Sequence, residues 1–152
     1  MKRKIIMVLL ILLVLFWAGF IFSNSMEDLS ASYETSARFI RMVNSHLLDN
    51  AETAYLAQNY FRKAAHFFEF FTLGILLYLL LSGKEKRGML AFLFSAAAAF
   101  LDEGLQMFSD RGNSLRDVLL DSCGAAAGIL LVSAIIFLIK KVKSGRSHRD
   151  LS

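Results

Sequence analysis

Residues 62–81 read RKAAHFFEFFTLGILLYLLL. The stretch is long and apolar enough to cross a bilayer, for which a helix needs about 20 residues. Yet it opens on Arg62, Lys63, His66 and Glu69. At 100° per residue, Arg62, His66 and Glu69 fall within an arc of about 60°. A polar stripe on a phenylalanine-rich helix faces a partner helix or a cavity, because ionisable groups turned to lipid are costly. His66 and Glu69, at i and i+3, are within reach of each other, so Glu69 would hold the imidazole in one tautomer.

Outward from this stretch, three others have the same character. Residues 5–22 carry no charge, residues 89–108 carry Asp102 and Glu103, and residues 118–139 carry only Asp121. With 56% hydrophobic residues in 152 and a mean hydropathy of +0.51, the chain is too apolar for an ordinary soluble domain. A lone strand cannot satisfy its backbone in lipid, so the expected fold is an all-α membrane bundle. Four transmembrane helices are expected at about 5–22, 64–82, 89–108 and 118–139, in a single domain over 1–152. There is no proline to break a helix, and the single cysteine, Cys123, excludes an internal disulfide. Lys2-Arg3-Lys4 and the small residues Ser23-Asn24-Ser25 flank the first stretch as they would a signal peptide. Its 18 apolar residues exceed the roughly 7–15 of such a segment, so it reads as an uncleaved first helix.

The basic residues sort by side. Lys2, Arg3 and Lys4, then Lys84, Lys86 and Arg87, then Lys140, Lys141, Lys143, Arg146 and Arg149 fall on one face of the weave, with only Glu85 and Asp150 as acids. The positive-inside rule puts both termini, the tail 140–152 and the turn at 83–88 in the cytoplasm. The net charge of +4 is thus an orientation signal. Nucleic-acid binding would need a basic patch with a reading motif, and none is present.

The connection 26–62 then lies outside. Tyr33, Ala37, Ile40, Val43 and Leu47 recur at helical spacing, and Asp49 with Glu52 reads as a capping-box-like start of a second short helix. Ala51, Ala54, Tyr55 and Phe61 would face inward on it. Such an amphipathic segment lies in the interface plane or folds as a lid over the outer helix ends.

The remaining polar residues collect at the same level. Asp102 and Gln106 share a face of the third span, with Glu103 about 100° away. Ser114 with Asp117 forms a capping-box-like start to the fourth span, where Asp117, Asp121, Gly124 and Gly128 share a face. Gly124-Ala125-Ala126-Ala127-Gly128 is a small-xxx-small surface, and Ala96 to Ala99 is its expected counterpart. The candidates for proton transfer are His66, Glu69, Asp102 and Asp117. Arg62, Lys63, Glu103, Gln106, Arg111, Asp121 and Ser23 are the candidates for contact with a substrate, the arginines suiting phosphate. No metal is expected: there is no H-E-x-x-H motif, and Arg62 and Lys63 oppose a cation while favouring an anion. Were a divalent ion held, His66, Glu69 and Asp102 would be its ligands. No G-x-S-x-G elbow appears.

These residues resemble the VanZ-like family of membrane proteins. Phe22-Ser23-Asn24-Ser25 resembles the family's Phe-Ser-Ser segment. Arg62 to Phe70 resembles its Arg-Lys-x-x-His-x-x-Glu-aromatic motif. Asp102-Glu103-Gly104-Leu105-Gln106 with Arg111 resembles its Asp-Glu-x-x-Gln…Arg motif. Asp117 to Gly128 resembles its Asp-x-x-x-Asn-x-x-Gly-x-x-x-Gly stretch. Asp121 stands where Asn is frequent, adding a carboxylate, and Phe70 stands where Tyr is common, removing a hydroxyl. The resemblance covers roughly residues 16–138. It implies a multi-pass protein of the bacterial cytoplasmic membrane and a link to glycopeptide (teicoplanin-type) susceptibility; it assigns no reaction.

Three functions remain open. An outer-leaflet polar pocket would bind or modify an anionic lipid or lipid-linked envelope precursor. A non-catalytic protein would instead bind or shield through the outer segment or a partner. A proton-coupled small transporter fits less well, since its site would lie at the midplane.

Overall fold

In the computed structural model, residues 2–27, 29–44, 49–106 and 114–149 are described. The candidate Arg111, the end of the third expected span at 107–108, and Leu47 lie outside the described residues. Five helices follow in order: α1 (Lys2–Ser25), α2 (Leu29–Asn44), α3 (Ala51–Leu80), α4 (Arg87–Gln106) and α5 (Leu115–Arg149). Among the described residues there is no strand. All but α2 are long and apolar enough to cross a membrane. The all-α membrane bundle with an amphipathic segment between its first two spans is therefore the observed fold.

One boundary differs from the sequence reading. The short helix expected to open at Asp49 is not separate from the second span; α3 runs unbroken through 30 residues. Its N-cap is Asn50, whose side chain accepts from the Glu52 N–H at 2.9 Å, in place of an Asp49–Glu52 box. No glycine or proline occurs between Ala51 and Leu73, so nothing stops a helix once it is capped. On this continuous helix Ala51 and Tyr55 are exposed, contrary to the expected inward face, and Ala54 and Phe61 are half-buried.

Helix α5 packs most extensively on α3. A Cβ on Gly74 would lie 2.5 Å from the Ala125 carbonyl oxygen, and a Cβ on Gly124 or Gly128 would run into the carbonyls of Phe67 and Phe71. The small-residue surface of α5 thus meets the backbone of α3, and its Ala125 also packs with Ala99 of the expected Ala96 to Ala99 surface of α4. Only glycine permits backbones this close, and that proximity is a main source of helix association in lipid. Ala99 and Ala125 join Ile21, Phe70 and Leu73 in a core to which α1, α3, α4 and α5 all contribute.

Two further ties matter for the site. The Trp17 indole N–H of α1 donates to the Glu69 carbonyl oxygen of α3 at 2.9 Å. Helix α2 docks on the first half of α3 through its inward Ala37 and Ile40, both buried, and through Phe39 stacked on Phe61 at 5.4 Å. Tyr33 of α2 lies under the Arg62 guanidinium at 5.1 Å and beside Tyr55 at 6.2 Å.

Candidate functional site

The bundle gathers its polar side chains at one end. On α3, the seam with α5 and the Trp17 bond set the rotation of the helix. His66 is then inward-facing, with Nδ1 3.6 Å from Glu69 Oε2 and 3.9 Å from Asp102 Oδ2 of α4. Asp102 is fully buried, and its Oδ2 accepts from Gln106 Nε2 at 3.1 Å, one helical turn on. Asp121 of α5 is 2% exposed. Ligating atoms of His66, Asp102 and Asp121 all lie within 4.8 Å of one another. Three helices thus converge on one point, which i,i+3 and i,i+4 spacing alone could not establish.

Around this centre the other candidates have distinct surroundings. Lys63 Nζ pairs with Asp117 Oδ1 at 3.2 Å, linking α3 to the start of α5. Glu103 is buried and accepts from the Ser114 N–H, so an acid of α4 satisfies the donor just ahead of α5. The Ser114–Asp117 box expected there does not form: Asp117 is turned to Lys63. Ser23 is exposed at the end of α1.

The residue that sequence reasoning passed over is Asn24. Its Nδ2 donates to Glu69 Oε1 at 2.9 Å, so α1 holds the same carboxylate that faces His66. Ser25 beside it is fully buried. The signal was present in the helical phase: Trp17, Ile21 and Asn24 recur at i, i+4, i+7 and share the face that meets α3. Ser23 lies one step off that face.

Two cavities meet at α3. A pocket of about 40 Å³ is lined by Asn59, Arg62, Lys63, His66, Gln106, Asp117, Leu120 and Asp121. A groove of about 430 Å³ runs between α1, α2 and α3, with Phe20, Phe39, Phe61 and Ala65 as apolar walls and Asn24, Arg62, His66 and Glu69 as its polar floor. Arg62 and His66 line both. The arrangement offers a cationic contact, an imidazole gripped by two carboxylates, and a largely apolar approach.

Scanned against protein-family models, the chain matches the VanZ/LLP1 family over residues 9–138. No curated protein and no solved structure matches it. The matched span takes in the core of α1, both cavities and every residue that lines them, and the chain belongs to the VanZ/LLP1 family.

Proposed function

We propose that this multi-pass protein binds an anionic, lipid-linked envelope substrate at the outer leaflet and acts on it through His66. The observation that carries the reading is the pair of cavities that Arg62 and His66 line in common. An amphiphile needs an apolar channel ending on polar groups, as small-molecule sites in general combine apolar walls with a few polar contacts. An acyl or prenyl chain would lie along Phe20, Phe39 and Phe61. Its phosphate would meet Arg62, whose planar fork suits phosphate oxygens. His66 would move a proton, with Glu69 and Asp102 holding its orientation and Asn24 holding Glu69. The distribution of basic residues supports cytoplasmic termini and hence an outward-facing pocket. A change in teicoplanin-type susceptibility would follow from altered envelope precursor at the outer surface.

The test joins binding to phenotype. The chain in nanodiscs is titrated with a polyprenyl phosphate and with the uncharged polyprenol. Binding of the phosphate only, weakened at least about tenfold by Arg62→Gln, is expected from losing a charge-assisted bidentate contact. His66→Ala and Glu69→Gln should each abolish any resistance phenotype at unchanged membrane abundance. Full phenotype in both variants would sink the reading.

A second reading has one observation in its favour: α2 carries Phe39 and Met42 at 51% and 80% exposure, an apolar surface outside the spans. A shielding protein acting through α2 would lose function on Phe39→Ser with Met42→Ser and keep it in His66→Ala.

A further inference from the structure

Asp121 is the buried group that the lipid reading leaves unused. It is 2% exposed, its Oδ1 is buried with no hydrogen-bond partner among the described residues, and it lines the 40 Å³ pocket. A buried carboxylate oxygen without a donor is costly, and the usual remedies are a proton, a water or a metal ion. Two neighbours favour the last. A carboxylate of Asp102 and an imidazole nitrogen of His66 lie within 4.8 Å of it. That is a mixed N/O donor set contributed by three separate helices, the arrangement bundles use for ions held in their cores.

We propose that His66, Asp102 and Asp121 form a site for one first-row divalent cation of the Zn²⁺ or Mn²⁺ type. Imidazole with carboxylates suits these ions, and three protein ligands leave a position open for water or a substrate oxygen. Bonds of about 2.1 Å put tetrahedral ligands about 3.4 Å apart, so binding would draw the three side chains together by roughly 1 Å. The 40 Å³ pocket lined by His66 and Asp121 adjoins the site and exceeds the roughly 15 Å³ a water-sized particle needs, so an open coordination position could face it. Outer partners that orient such ligands are present: Glu69 at 3.6 Å from His66 Nδ1, and Gln106 at 3.1 Å from Asp102 Oδ2.

The objection from Arg62 and Lys63 loses force in the structure. Lys63 is paired with Asp117, and Arg62 lies over the Tyr33 ring. Acids also outnumber bases here: Glu69, Asp102, Glu103, Asp117 and Asp121 lie close to a pocket whose lining cations, among the described residues, are those two. A dication answers that imbalance directly. The departure from the family pattern noted at this position, Asp121 in place of a frequent Asn, adds the second negatively charged ligand beside Asp102.

The test uses the full chain in detergent, stripped with chelator and titrated separately with Zn²⁺, Mn²⁺ and Co²⁺. One ion per chain is expected, with Co²⁺ ligand-field bands of a low-coordinate N/O site in the wild type. Asp121→Asn keeps the side-chain shape and should weaken binding at least about tenfold, as losses around metal sites do. His66→Gln should do the same, and exposed Glu34→Gln should change nothing. No stoichiometric uptake of any of the three ions by folded protein, or wild-type affinity in Asp121→Asn, would overturn the site. The first result would leave a proton or a water as what satisfies the Asp121 oxygen. Because metal alone is the probe, the outcome is independent of whether a lipid phosphate binds, and a bound ion would make His66 a ligand in place of the proton carrier.

Discussion

The two ends of the bundle use charge in opposite ways. At the end holding the Gly83 turn, Lys84, Glu85 and Lys86 are exposed and Arg87 lies 4.4 Å over the Tyr78 ring. Its core is a small cluster of Tyr78, Ala91 and Ile129. At the other end Asp102, Glu103, Gln106 and Asp121 are buried, and α1, α3, α4 and α5 are cross-linked through Asn24, Glu69, His66 and Glu103. The same four helices supply both ends. Solvated charge orients a chain at little structural cost, whereas buried charge demands partners and so records a purpose.

The largest test of that difference is steric. Gly124→Leu at the buried end would drive a side chain into the Phe67 carbonyl, and backbone cannot yield as a flexible side chain can. We expect a loss of about 3 kcal/mol or more, read as a fall of roughly 10 °C in thermal unfolding in detergent. Gly88→Ala at the basic end would meet only Tyr78 and Ile129 side-chain atoms, at 3.8 and 4.0 Å, so its melting temperature should hold or rise. Equal losses in the two variants would erase the contrast.

Asn24→Leu comes next. It removes the donor to Glu69 Oε1 and leaves a half-buried carboxylate oxygen unsatisfied, at a cost of about 2 kcal/mol. Thermal unfolding and the phenotype should fall together. Trp17→Phe should cost about 1 kcal/mol, because it keeps the ring's packing and loses one hydrogen bond to the Glu69 carbonyl. Arg87→Gln at the basic end forfeits the contact over Tyr78, roughly 0.5 kcal/mol, seen as a shift of a degree or two.

The smallest effect belongs to the surface of α2. The Arg38 guanidinium, 2.7 Å from Glu34, holds that carboxyl below its usual value of 4.5. A lowered carboxyl contributes above its ordinary pKa and loses that contribution as pH falls through the lowered one. Both side chains are exposed, so Glu34→Gln should leave the melting temperature at neutral pH unchanged.

Much of this was legible from single residues. Hydropathy located the spans because a span's length is set by the bilayer and needs no partner. The stripe of Arg62, His66 and Glu69 followed from helical phase alone. Contacts between helices were harder. Gly124 and Gly128 announce a close approach without naming the helix approached, and α3 shares with the expected α4 the small-residue surface of α5. The cap at Asn50 shows the other limit. Asp49 and Glu52 offered an equally good start signal, and the lack of any glycine or proline up to Leu73 is the local sign that the helix would continue into the span.

That unbroken helix has a consequence for depth. Thirty residues at 1.5 Å each make α3 about 45 Å long, against about 30 Å of hydrocarbon. With Leu80 at one boundary, the other falls near Phe61, beside Tyr60, which is 72% exposed as an interfacial tyrosine should be. His66 then lies roughly 8 Å below the surface and Glu69 roughly 12 Å below it. Because α3 is continuous from Ala51 to Leu80, bilayer thickness would decide whether the imidazole meets a headgroup or the chain beneath it. Reconstitution in lipids of stepped acyl length should trace an optimum and a decline on either side of it.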